Sequence, residues 1–113
     1  METETFQATI RINGDAPVVD LAGEINADAE AALSEIYRGA SAQAPGRIVL
    51  NFGQVIYINS TGIALIVGLL AQARRDRREI VAIGLSDHYR QIFEITRLSD
   101  FMTIHPNEQS AVA

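Results

Sequence analysis

Residues 48–75 constrain the fold more than any other part of the chain. Ile48, Val49 and Leu50 are apolar at three consecutive positions. Side chains of a strand alternate between the two faces of a sheet, so this run fits a central strand covered on both sides. A second apolar run, Val55-Ile56-Tyr57-Ile58, ends in a polar cluster, Asn59-Ser60-Thr61-Gly62. The segment 61–75 is long enough for a helix. Its first half is apolar all round, which predicts a helix packed deeply against a sheet. A buried strand that feeds a buried helix is the repeating unit of α/β folds.

The flanking sequence extends that unit. Phe6, Ala8, Ile10 and Ile12 alternate with polar residues, the period of a half-buried strand. Asn13-Gly14-Asp15 then predicts a hairpin turn, because Asn-Gly tolerates positive φ at both central positions. A second strand over 18–22 follows, antiparallel to the first, and Gly23 closes it. Asn26 or Asp28 can cap a helix carrying Ala29, Leu33, Ile36 and Tyr37 on one face. Residues 39–46, GASAQAPG, read as a loop. Residues 80–83 form the next strand. Ser86-Asp87 caps a helix anchored by Ile92, Phe93 and Ile95, with Arg97 near its end. Residues 101–104 form a short last strand, and Asn107-Glu108 starts a final helical turn. The order β-β-α-β-α-β-α-β implies one domain over 1–113. Its sheet is mixed, mostly parallel with an antiparallel N-terminal hairpin, and three to four helices pack mainly on one side.

Charge and composition exclude several classes of function. With 14 acidic and 9 basic residues the net charge is −5, which disfavours nucleic acid and anionic membrane surfaces. No apolar run approaches the ~20 residues that span a bilayer. The first residues lack the pattern of a secretory leader, so a cytoplasmic location is expected. All nine basic residues are arginine and there is no cysteine. Lysine nucleophiles, Schiff bases, P-loops and thiolate metal sites are therefore excluded. His88 and His105 are isolated and show no metal spacing. No Gly-x-Ser-x-Gly elbow surrounds a serine and no dinucleotide-binding glycine motif occurs. No enzyme, cofactor or metal site is expected. Arg74, Arg75, Arg77 and Arg78 read as a solvated helix end that complements the helix dipole.

That leaves Asn59-Ser60-Thr61-Gly62. Asn and Ser cap helices because their side-chain oxygens accept the orphan amides of the first turn. The same position favours negative charge, so a phosphate on a serine there would be stabilised locally. It would also place about two negative charges on a surface that a partner can read. Ser60 can thus be an ordered cap residue, a switch, or both. Thr61 is a second possible acceptor, expected to be less accessible.

The cluster resembles the signature of STAS domains, the anti-sigma factor antagonist family, in which Asp-Ser-Ser/Thr-Gly precedes an apolar helix. The resemblance extends along the chain: VVDLAGEINADAEAAL is similar to the family's second strand and first helix, RIVLNFGQVIYINSTGIALIVGLL to its central strand and switch helix, and GLSDHYRQIFEITRLSDFMTI to its last helix and strand. It implies binding of an anti-sigma factor that is also a GHKL-type serine kinase, phosphorylation of the motif serine to end the binding, and a PP2C-type phosphatase to restore it. By position the phosphorylated residue is Ser60. The partner surface comprises Glu24, Asn26, Asn59, Ser60, Thr61 and Gly62. Two residues depart from the pattern: the family's usual Asp before the serine is Asn59, and the acidic residue of Gly-Glu-Leu-Asp is Asn26. The alternative is a STAS subunit that is never phosphorylated and serves as a scaffold in a signalling or transport assembly.

Overall fold

The computed structural model describes residues 5–43 and 45–113. Its strands are β1 (Gln7–Asn13), β2 (Ala16–Ile25), β3 (Arg47–Ile58), β4 (Glu79–Ile83) and β5 (Thr103–Ile104). Its helices are α1 (Glu30–Gln43), α2 (Ser60–Arg75), α3 (Asp87–Ile95) and α4 (Glu108–Val112). Short 3-10 turns precede α1, at Ala27–Ala29, and β5, at Leu98–Asp100. The five strands form one sheet in the order β1-β2-β3-β4-β5. β1 is antiparallel to β2 and every other pair is parallel. Because each successive strand is added at the same side, right-handed crossovers place α1, α2 and α3 on the same face.

That face holds the main core. Val19, Leu21 and Ile25 of β2 and Ile48, Leu50 and Phe52 of β3 meet Leu33 and Tyr37 of α1, Ile66, Leu69 and Leu70 of α2 and Phe93 of α3. The opposite face carries a smaller cluster of Ala16, Val18, Val49, Val81 and Ile83, covered by Ala111 of α4. β3 is thus apolar on both faces because both are covered. Beyond α4 the second face turns polar. Arg11 pairs with Asp20 and with Glu108, and Asn51 Nδ2 donates to Asp20 at 2.8 Å. Arg47 holds the end of α4 by donating to the carbonyls of Ala111 and Ala113.

Several local expectations change. The two apolar runs 48–50 and 55–58 are one continuous strand. Residues 39–43 extend α1 instead of forming a loop, since Ala40 continues the buried stripe Ala29, Leu33, Tyr37. The hairpin turn centres on Gly14-Asp15, and of these only Gly14 has positive φ, the pattern of a Gly-first turn and not of Asn-Gly. Ile95 anchors nothing: it is 80% exposed, while Tyr89 takes the buried position one helical turn before Phe93. Ile12 is exposed at the end of the edge strand, and Phe101 precedes β5 and is half exposed.

Candidate functional site

The site stands at the C-terminal ends of β2 and β3. Two register irregularities in this parallel pair bring Glu24 opposite Tyr57 and Ile25 opposite Ile58. The chain then leaves each strand through an asparagine. Asn26 Oδ1 accepts from the amide of Asp28 at 2.9 Å and so opens the 3-10 turn that leads into α1. Asn59 Oδ1 accepts from the amide of Gly62 at 2.8 Å and so caps α2. The Asn59 amide donates to the Ile25 carbonyl at 3.2 Å. The two exits are therefore locked together through backbone, and Glu24, Asn26 and 59–62 form one patch.

Gly62 explains how close this contact is. It is buried, and a Cβ on it would overlap the carbonyl oxygen of Ile25. The first turn of α2 thus lies directly on the end of β2, which no other residue type permits without a backbone shift. Ser60 is the first residue of α2 and is exposed. Thr61 is exposed as well. Neither hydroxyl forms a hydrogen bond among the described residues. No acidic residue lies in the first turn of α2, so no side chain there offsets the positive end of its dipole. Ile56 and Tyr57, 57% and 52% exposed, add apolar surface just ahead of the cluster.

One supporting residue is not visible as such in the sequence. β3 runs past its last partner on β4, Asn51 opposite Ile83, so the edge of its final residues is open. Tyr89 of α3 closes it: its hydroxyl accepts from the Ile58 amide at 2.7 Å. Tyr89 is not among the anchors that the sequence suggests for α3, and its polar role depends on where β4 ends. The arginine cluster lies at the other end of α2, about 22 Å from Ser60 at 1.5 Å per residue, and takes no part in this patch. Arg74 is not simply solvated, since its guanidinium lies 5.5 Å from the centroid of the Phe101 ring. Among the described residues no group of three or more His, Asp or Glu is placed to hold a metal.

The patch is exposed, and comparison with known proteins places the chain as a whole. The family model described as "Mlab, STAS domain" matches residues 8–104. The anti-sigma-B factor antagonist of Staphylococcus aureus is 33% identical over 94 residues, which cover 83% of this chain and 85% of that protein. Among solved structures, an anti-sigma factor antagonist from Mycobacterium paratuberculosis superposes with a TM-score of 0.79 at 17% identity, covering 96% of this chain and 92% of that one. The Bacillus cell fate determinant SpoIIAA in its phosphorylated form superposes with a TM-score of 0.67 at 21% identity, covering 94% and 96%. With its strand order, its Asn59-capped α2 and these matches, the chain belongs to the STAS domain family, alongside the anti-sigma factor antagonists.

Proposed function

We propose that this protein is an anti-sigma factor antagonist whose patch at Glu24, Asn26 and 59–62 binds an anti-sigma factor. The observation that carries the reading is the exposed Ser60 at the amide end of α2, in a chain one-third identical to a named antagonist. The reading is one of recognition, not catalysis. The partner proposed is an anti-sigma factor with GHKL-type serine kinase activity. Phosphorylation of Ser60 ends the complex, and a PP2C-type phosphatase restores it. The phosphorylated form of a structural neighbour supports this chemistry.

The local electrostatics are consistent with such a switch. A phosphate on Ser60 would meet the positive end of α2 and two neutral asparagines, so nothing in the first turn repels it, and Glu24 on β2 is the one acidic side chain of the patch. Its charge would fall beside the exposed Ile56 and Tyr57, where a docked partner would have to desolvate it. Among the described residues the Ser60 hydroxyl makes no hydrogen bond, so modification changes the surface and leaves the Asn59 cap in place.

Intact mass spectrometry after incubation with the GHKL-type anti-sigma kinase of the same genome, ATP and magnesium tests the proposal. One phosphoryl group is expected on the protein and none on Ser60→Ala. In binding assays with that kinase, Ser60→Asp should weaken the complex at least about tenfold relative to Ser60→Ala, as expected for an unpaired charge at an interface. Equal binding by the two variants, without phosphoryl transfer, would remove the switch and favour the scaffold role, which the neutral Asn26 and Asn59 suit.

A further inference from the structure

We propose that the groove between the C-terminal half of α2 and the turn Leu98–Asp100 is a second docking site, one that takes an acidic amphipathic helix of a partner protein. The groove encloses about 480 Å³. Its floor is apolar, from Val67 and Leu70 of α2 with Leu98 and Phe101 opposite, and Arg74 and Arg75 stand on its rim. Val67 is 46% and Phe101 51% exposed. Ile95, beside the groove-lining Thr96, is more exposed than either. Half of the large exposed apolar side chains among the described residues thus lie in or next to this groove, and such clustering marks interaction surfaces.

Charge selects the occupant. The chain is acidic overall, yet here the sign is reversed. Asp100 pairs with Arg97, Glu79 pairs with Arg47, and Asp76 accepts from Tyr37. Arg74 lies over the Phe101 ring, and neither it nor Arg75 is neutralised by a carboxylate among the described residues, so an apolar floor with two guanidinium groups on its rim matches a helix with an apolar stripe and carboxylates beside it. A guanidinium forks onto a carboxylate in a geometry that a rim position leaves accessible. A second copy of this chain fits poorly, because a twofold contact through the groove would set the arginines against their own equivalents. A nucleic acid would gain nothing from the apolar floor, which a helix with an apolar stripe would cover.

The site lies at the opposite end of α2 from Ser60 and does not depend on the antagonist reading. The test uses a fluorescein-labelled helical peptide of about 18 residues, long enough for five turns, with leucine on one stripe and glutamate elsewhere. Its anisotropy is measured with the full chain. Binding is expected, and it should weaken at least about tenfold in Arg74→Glu and in Arg75→Glu. It should also weaken as salt rises from about 0.05 to 0.5 M. It should be lost when lysine replaces glutamate in the peptide, and be unchanged in Ser60→Asp. No binding, equal binding of the acidic and basic peptides, or arginine variants that bind like the parent would overturn the proposal. So would concentration-dependent dimers that disappear in Arg74→Glu, since the groove would then serve a second copy.

Discussion

Helix α2 begins and ends by opposite means. At its start every local preference is met. Asn59 is a favoured N-cap, Gly62 fits a contact that only glycine fits, and the backbone of Ile25 receives the chain. At its end the chain turns through Arg77 with φ of 59°, a left-handed conformation that suits glycine. The hydrogen bonds of that turn are complete: Arg78 N donates to Ala73 O at 2.8 Å and Arg77 N to Arg74 O at 3.2 Å. A correct termination motif is thus built with an unfavourable residue. The start of the helix is optimised for position, so that Ser60 stands in one place. The end keeps its positive charge at a cost in backbone energy.

The contrast is broken most severely at Gly62. In Gly62→Val the new side chain would displace the end of β2 from the first turn of α2. A loss of about 3 kcal/mol or more is expected, because the obstacle is backbone and cannot rotate away. Chemical denaturation would measure it. A loss below about 1 kcal/mol would mean that the two strand exits are not rigidly joined.

Arg77→Gly probes the other end and should act in the opposite direction. Relief of the left-handed penalty is worth about 1–2 kcal/mol, and the extra freedom of glycine in the unfolded chain returns about 0.5–1 kcal/mol. A net gain of about 0.5–1 kcal/mol is expected in the same denaturation experiment. A loss would show that the Arg77 side chain contributes more than its backbone costs.

These differences also mark what could be read from the sequence. The β-α alternation, the double-sided β3 and the helix that follows Asn59 are read from periodicity, because burial on one or both faces imposes period directly. The 59–62 part of the candidate patch was legible because caps announce themselves as polar residues at the edge of apolar runs, whereas Glu24 and Asn26 joined it only through the family resemblance. What escaped depends on tertiary context. Ile95 is apolar and exposed, which periodicity alone converts into a false anchor. The extension of α1 through residues 39–43 was hidden by its small residues, which resemble a loop until Ala40 is seen against the core. Tyr89 acquires its role only because β4 stops at Ile83. Arg77 and the groove beside Phe101 need a known chain path before their conformation or grouping has meaning.

The smallest expected effect ties the end of α2 to α1 and to pH. Tyr37 is buried on α1, and its hydroxyl donates to Asp76, the C-cap of α2, at 2.7 Å. Burial raises its pKa above the ordinary tyrosine value, and the neighbouring carboxylate adds to the rise. The folded state therefore keeps this proton at a pH where the unfolded chain has begun to lose it. Stability from this group is complete below the unfolded pKa near 10 and declines as pH rises through it toward the folded value. Between pH 9 and 10.5 the decline attributable to Tyr37 is at most about 0.8 kcal/mol, the limit set by ionisation of the unfolded tyrosine alone. Denaturation curves of the parent and Tyr37→Phe across that range isolate the contribution, since phenylalanine has no proton to lose. The variant should start less stable at neutral pH and lose less on the way up, so the two curves converge. Parallel curves would show that the hydroxyl does not lock α1 to the end of α2, leaving the Arg77 turn and the bond from Arg78 to the Ser41 carbonyl to hold it.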